Sequence, residues 1–324
     1  MGGPLGYAEL VDVDEVVSGV LGGDRRAVAR AISMVEDGAE GLRELIAGIY
    51  PKTGRAYTVG LTGSPGVGKS SLAAELVKAA RARDRTVAVL AIDPTSPFTG
   101  GALLGDRLRM QSHATDPGVF IRSMATRGHL GGLALAAPEA VMVLDASGVD
   151  LVLIETVGVG QAEVEVATRA DTTLVVVAPG WGDAVQASKA GILEIADVFV
   201  VNKADREGAG EAVRDLELML KMGPELDWRP PVVRTATVSG EGTDDLWEAI
   251  ESHRKHLEAG GELERRRRDR IVGEVEAMVA ARLRERAAAI LEEGELERLA
   301  DDLASRSVDP YRATDMLVER METG

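Results

Sequence analysis

Residues 63–70, Gly63-Ser64-Pro65-Gly66-Val67-Gly68-Lys69-Ser70, fit the pattern G-x-x-x-x-G-K-[S/T] at every fixed position. That pattern serves one kind of chemistry, the holding of a polyphosphate. Successive backbone N–H groups face inward, and the N-terminus of a following helix adds partial positive charge. Lys69 is placed to reach the β- and γ-phosphates, and the Ser70 hydroxyl to ligate Mg2+. A glycine-rich turn that merely contains Gly-Lys-Ser is the plain alternative. The flanks argue against it, because Tyr57 to Leu61 reads as a short buried strand and Ser71 to Val77 as a helix. The candidate binding residues here are Gly63, Ser64, Pro65, Gly66, Val67, Gly68, Lys69, Ser70 and Ser71. The chain is expected to bind a nucleoside triphosphate.

A second signal, Asn202-Lys203-Ala204-Asp205, follows the apolar run Val198-Phe199-Val200-Val201. A carboxylate such as Asp205 accepts from both N1–H and the exocyclic amine of guanine. Adenine offers neither donor and leaves a buried acceptor unpaired, which costs about 1–3 kcal/mol. Lys203 can lay its stem along the base, and Asn202 can brace the phosphate loop or the base. GTP rather than ATP is the expected nucleotide.

A third signal is Glu155, which ends the buried run Leu151-Val152-Leu153-Ile154 ahead of Thr156-Val157-Gly158-Val159-Gly160-Gln161. An acidic residue at a strand end is where Mg2+ and its waters are organised in phosphoryl-transfer sites. Gly158 can offer a backbone N–H to the γ-phosphate, so the segment after it can sense hydrolysis. The common form has Asp where Glu155 stands; the longer side chain can act through water. A solvent-facing strand terminus is the plain reading. Asp93, closing the run Val87 to Ile92, and Asp106, in a glycine-rich stretch, can each hold Mg2+ or its water shell. Asp106 can instead be a helix cap, the less favoured of its two readings. Arg107, Arg109 and Arg127 are candidates for neutralising transition-state charge, and equally for a surface role. The catalytic candidates are therefore Lys69, Glu155 and Asp106, and the metal-side candidates Ser70, Asp93, Asp106 and Glu155.

Around these motifs, seven short apolar runs alternate with helical patterns: 58–62, 86–92, 119–122, 151–155, 173–178, 198–202 and 232–235. Near-continuous apolar strands of that kind predict a doubly wound, mostly parallel α/β sheet with helices on both faces. Its ligands sit beyond the carboxyl ends of the strands, where the motifs fall. Residues 1–50 read as a helical arm, an accessory layer with Asp24 capping its second helix. Residues 51–257 read as the nucleotide-binding domain. Residues 258–324 read as a helical tail with an imperfect apolar stripe of Ile271, Val275, Met278, Leu283, Ile290 and Leu291. Such a tail either packs back on the domain or dimerises with a copy of itself, and dimerisation is preferred.

Composition narrows the function classes. The chain has 324 residues, 45% of them apolar, so a substantial core is available. It has no cysteine, which excludes disulfides and thiolate metal sites. A net charge of −16 disfavours nucleic-acid binding. The one basic run, Arg265 to Arg268, reads as a solvated helical face among acidic neighbours, and His253 with His256 as a solvated pair. No apolar stretch is long enough to span a membrane and the N-terminus lacks a leader pattern, so a soluble cytoplasmic protein is expected, with no nucleic-acid or membrane partner.

Taken together these residues resemble the MeaB/MMAA-type (ArgK-like) G3E P-loop GTPases over nearly the whole chain. The likeness includes residues 22–26, 60–72, 92–96, 100–110, 127–132, 155–161, 182–186 with Lys189 and Gly191, 202–205 and 309–311. The resemblance implies a P-loop GTPase chaperone of an adenosylcobalamin-dependent acyl-CoA mutase, most often methylmalonyl-CoA mutase. Such proteins use GTP to gate cofactor loading and to protect the mutase from inactivation, and are homodimers through their C-terminal helices. The resemblance also assigns Asp93, Asp106 and Glu155 to the magnesium side, and residues 179–189 to a mobile loop that couples nucleotide to mutase. Two positions depart from the pattern. The guanine-side Ser-Ala appears as Ala236-Thr237 before Val238, whose backbone N–H groups can still reach guanine O6, and Trp181 stands where a smaller residue is expected. Competing readings are a nickel-type metal-insertion GTPase, a kinase of a transport-system binding protein, and a GTP-binding scaffold. The missing cysteine and histidine-rich tract oppose the first, and the guanine signature opposes the ATP use of the second.

Overall fold

The computed structural model describes residues 12–93, 115–125, 133–156, 169–180, 194–224, 226–290 and 293–323. In chain order the described elements are α1 (Val13–Leu21), α2 (Arg25–Asp37), α3 (Leu42–Ile49), β1 (Tyr57–Thr62), α4 (Lys69–Arg81), β2 (Val87–Asp93) and β3 (Val119–Ala125). They continue with α5 (Leu133–Ala146), β4 (Leu151–Thr156), β5 (Thr172–Val177), β6 (Val198–Val201), α6 (Ala209–Met222) and β7 (Val232–Arg234). Four helices complete the chain: α7 (Thr243–Ala259), α8 (Glu262–Ile290), α9 (Glu293–Ala304) and α10 (Pro310–Thr323). The seven strands form one sheet in the order β3-β2-β4-β1-β5-β6-β7, with every pairing parallel. This is the doubly wound parallel α/β sheet that the apolar runs predict. Strands β1, β4, β5 and β6 are buried at every position, which explains why their sequences run apolar instead of alternating.

On one face α4 and α7 pack Leu72, Leu76, Leu246 and Ile250 against Val59, Leu61 and Val176. On the other, α5 and the arm α1–α3 cover β2 and β4, with Val20, Ile32 and Leu45 sharing a core with Leu90, Ile92 and Ile154. Helix α6 covers β5 and β6 through Leu216 and Phe199. The arm folds as its caps dictate. Asp24 Oδ1 accepts from the N–H groups of Arg26 and Ala27 at 2.9 and 2.8 Å, and Gly38, at φ +57°, closes α2 in the left-handed region.

The amino ends of the strands, opposite the loops that carry the motifs, are latched by aspartates. Asp171, just before β5, accepts from Thr58 N at 3.0 Å; Asp197, just before β6, accepts from Thr173 N at 2.8 Å. Asp150, before β4, accepts from Thr86 N at 2.7 Å. Two of these carboxylates are matched by the start of α8. Arg267 and Arg270 reach Asp171 at 2.7 and 2.6 Å, and Arg266 reaches Asp197 at 3.1 Å. The basic run is therefore not simply a solvated face. Arg265 is largely exposed, while Arg266, Arg267 and the later Arg270 turn inward.

The histidine pair is corrected as well. His253 is fully buried, with Nδ1 at 2.8 Å from Thr172 Oγ1 and Nε2 at 3.2 Å from Asp197 Oδ1. Burial holds the ring neutral, with its pKa pulled down to about 4 against the opposing charge of Asp197.

Farther along, α8 carries a row of exposed apolar side chains, Ile271, Val272, Val275, Met278, Val279 and Leu283. Where α8 passes α5, two carboxylates share a partly buried region. Burial first, then the Glu274 carboxylate, push Glu139 up to about 7. Burial also raises Glu274, against the pull of Arg270 and Arg169. A carboxyl whose folded pKa is raised holds its proton more tightly folded than unfolded. Its stabilisation is present below the ordinary 4.5 and is lost as pH rises through about 7. Glu139→Gln is expected to raise stability at pH 8 by about 1–2 kcal/mol and to change it little at pH 4. Thermal unfolding of both proteins across pH 4–8 checks this; parallel curves would refute it.

Candidate nucleotide-binding site

Strand β1 delivers the phosphate loop at the carboxyl edge of the sheet, and α4 begins directly after it. Two glycines are required by space. A Cβ on Gly63, at φ +139°, would lie 2.1 Å from Val176 O. One on Gly68, at φ +97°, would lie 2.5 Å from Asn202 Nδ2. Lys69 is buried, and its Nζ donates to Gly63 O at 2.6 Å and Ser64 O at 3.1 Å. The lysine thus folds back over the loop it follows, at the floor of the cleft.

The guanine-type motif reaches the same loop from β6. Asn202 Nδ2 donates to Val67 O at 2.8 Å, and Lys203 Nζ to Gly66 O at 2.6 Å. Lys203 adopts φ +57°, uncommon for a residue with a side chain, which turns its stem across the cleft instead of along the strand. The two motifs, far apart in sequence, are stapled together at successive carbonyls. Asp205 is exposed at the same opening, which Thr237 and Val238 also line. The cleft between them measures ≈ 550 Å³, within the range of small-molecule sites. Arg206 also lines it, although the sequence reading passed over it; its place directly after the motif was the available signal.

At the cleft's other end the Ser70 hydroxyl is hydrogen-bonded to Glu155 Oε1, and both residues are buried. A hydroxyl and a carboxylate oxygen are the hard donors a Mg2+ ion takes, so the pair fits the metal. The register brings them together, since Glu155 of β4 pairs with Leu61 of β1, one residue from the strand's end. Asp93 is the last residue of β2, with its side chain outside the described residues. Asp106, Gly158, Gln161, Arg107, Arg109, Arg127 and Trp181 also lie outside them. Among the described residues, no cluster of three or more His, Cys, Asp and Glu is arranged to hold a metal. Within the same limits, no helix is long and apolar enough to cross a membrane.

The family described as Methylmalonyl Co-A mutase-associated GTPase MeaB matches residues 28–292. The chain belongs to the MeaB family. A relative in Pyrococcus abyssi, named only as a GTPase, is 51% identical over 316 residues, covering 96% of this chain and 98% of its own length. The mouse protein named methylmalonic aciduria type A homolog, mitochondrial, is 35% identical over 276 residues, 79% of this chain and 66% of its own. The solved structure of an LAO/AO transport system kinase superposes with a TM-score of 0.72 at 24% identity, over 98% of this chain and 100% of that one. At that identity the likeness speaks for the fold alone. MeaB-family membership makes the chain a GTPase, and the cleft is where its nucleotide is sought.

If Asp205 reads the base, its carboxylate accepts both N1–H and the 2-amino group of guanine. Asp205→Asn replaces one acceptor with a donor, which faces the 2-amino group with another donor but matches the 2-oxo group of xanthine. GTP affinity is expected to fall by about 100-fold, and XTP to become the better ligand. Equilibrium titration with both nucleotides measures this, and an unchanged preference for GTP would remove Asp205 from the base site.

Proposed function

We propose that this GTPase is a chaperone of an adenosylcobalamin-dependent acyl-CoA mutase, with methylmalonyl-CoA mutase the first client to test. In this reading GTP hydrolysis gates cofactor loading and protects the mutase from inactivation. The observation that carries it is the joining of Asn202 and Lys203 to the phosphate loop, in a chain whose family is described as mutase-associated. Base recognition and phosphate binding thereby form one mechanical unit, as a switch requires.

The hydrolytic step is in-line attack of water on the γ-phosphate. The loop amides and Lys69 bind and orient the phosphates and offset the charge that develops. Ser70 and Glu155, with Asp93 and Asp106 as further candidates, would hold Mg2+, which neutralises charge on the β- and γ-oxygens when bound. Backbone N–H groups of Ala236, Thr237 and Val238 would meet guanine O6, and Gly158 the γ-phosphate. Turnover of the isolated protein is expected to be slow, with Glu155 and Gln161 the candidates for orienting the attacking water. The division into arm, nucleotide domain and tail at residues 50 and 257 is part of this reading, as is a cytoplasmic setting for a cysteine-free chain. The exposed apolar row on α8 supports a homodimer.

Co-purification with candidate mutases tests the proposal, with GTP turnover measured alone and in their presence. Binding to one mutase with an altered hydrolysis rate is expected. Absence of both with every cobalamin-dependent acyl-CoA mutase tried would overturn it.

A further inference from the structure

Between α5 and α8, at the amino edge of the sheet, lies a cavity of ≈ 130 Å³. Ala137, Val141, Met142, Ile154 and Ile271 give it largely apolar walls. Its size is close to that of a cavity that takes a single benzene ring, about 150 Å³. Tyr50 and Ile271 line it and are 45% and 42% exposed, so it reaches the surface at their side chains.

Most polar groups around this cavity are already engaged. Asp145 accepts from the N–H groups of Gly54, Arg55 and Ala56. Asp171 is met by Arg267, Arg270 and Thr58 N, and Arg267 also donates to Gly54 O and Ala56 O at 2.7 and 2.9 Å. Thr58 Oγ1 accepts from Asp171 N at 2.8 Å. Glu274 stands apart. It is 9% exposed, lines the cavity from α8, and among the described residues makes no hydrogen bond or ion pair. Arg270 and Arg169 act on it through their charge from farther off. A buried carboxyl so placed is costly in either protonation state, because the ionised form needs donors and the protonated form an acceptor.

Charge says which kind of group would meet it. The lining carries three carboxyls, Asp145, Asp171 and Glu274, and three guanidiniums, Arg169, Arg267 and Arg270. Glu139, on α5, adds a fourth carboxyl, close enough to feel the charge of Glu274. Among these side chains one negative charge is in excess, and an incoming monocation balances it. A bare metal ion takes several oxygen ligands and would find one unengaged carboxylate among apolar walls. A primary ammonium on a short apolar body suits both the carboxylate and the walls. We propose that this cavity binds a small primary ammonium compound. Its cation sits on the Glu274 carboxylate, and its apolar body, of about four to six carbons, lies against α5 and β4. The inference depends neither on the identity of the nucleotide nor on the mutase.

The test is calorimetric titration of the full-length protein with n-butylammonium, butan-1-ol and butyrate, which share a body and differ in charge. At about pH 8 butylammonium is expected to bind with a Kd of about 0.1–1 mM, within reach of so small a ligand. The neutral alcohol and the anion should each bind at least about tenfold more weakly. Glu274→Gln should weaken butylammonium by about tenfold or more and butan-1-ol by less than about twofold. The probe, like a lysine side chain, stays protonated below about pH 10. Its affinity for wild type should therefore rise between about pH 5.5 and pH 8, as Glu274 and Glu139 lose the protons that burial makes them hold, Glu139 at about 7.

Butan-1-ol binding as tightly as butylammonium, or butyrate binding better than either, would overturn the inference. So would a folded Glu274→Gln protein with wild-type affinity for the ammonium, or no heat of binding up to about 20 mM butylammonium. If Glu274→Gln does not fold, the wild-type pH profile decides the question, since an affinity flat over that range would remove the carboxyl from the site. Each of these results leaves the GTP reading untouched, because nucleotide titration tests it separately.

Discussion

Replacing Lys69 by alanine is expected to lower GTP turnover by about 10²–10³-fold while leaving the fold in place. The ammonium group donates to Gly63 O and Ser64 O, at 2.6 and 3.1 Å. Phosphate oxygens carry full charge and make stronger bonds to an ammonium than neutral carbonyls do, so the arriving nucleotide takes the lysine over. The gain is largest when charge moves on the γ-phosphate, and hydrolysis should therefore suffer more than GDP binding. Gly63 and Ser64 are only partly buried, so the two carbonyls it leaves can bond to water and the thermal midpoint should stay close to wild type. Turnover and thermal unfolding, measured on the same preparation, check the claim. A variant hydrolysing GTP within about threefold of wild type would exclude Lys69 from the chemistry.

The largest effect on stability is expected at the opposite edge of the sheet. Asp171 is wholly buried and meets Arg267 and Arg270 while latching Thr58. Burial alone would raise its pKa, but the hydrogen bond from Arg267 and the charges of both arginines hold it below the ordinary carboxylate range. Asp171→Ala leaves two partly buried guanidiniums without their counter-charge and the Thr58 N–H without its acceptor. About 3 kcal/mol of destabilisation is expected, a fall in thermal midpoint of roughly 4–5 °C. A midpoint within about 1 °C of wild type would show that water replaces the aspartate at no cost. The effect should also depend on pH. A lowered folded pKa contributes stability above the unfolded value, and that contribution disappears as pH falls through the folded one. Wild type and variant should therefore converge in strong acid.

The sheet and the cleft were largely legible in the sequence for a shared reason, which is that their signals are local. A strand covered on both faces writes itself as an uninterrupted apolar run, as Leu151 to Ile154 and Val198 to Val201 do. The phosphate loop and Asn202 to Asp205 are short motifs, each legible within a few consecutive residues. What escaped was whatever joins distant positions. Nothing near Arg267 announces that its partner is Asp171, and a basic run among glutamates reads as a solvated face until the fold brings the strand ends to it. His253 was misread for a different reason. It shares a face of α7 with Leu246, Ile250 and Leu257, all buried, so the helical period already placed it inside. Its polarity outweighed its position, and the groups that face its two ring nitrogens, Thr172 and Asp197, come from other elements.

The arginine contacts at the start of α8 also bear on where this chain can be cut. A boundary after Leu257, natural by composition, falls ahead of Leu263, which is buried in the core of α4 and α7, and ahead of Arg266, Arg267 and Arg270. A fragment ending there would expose apolar surface and strand Asp171 and Asp197 in a low-dielectric setting without their cations. The opening turns of the tail are thus the last piece of the sheet to be laid down. A nucleotide-binding fragment of this protein should keep α8 at least through Arg270.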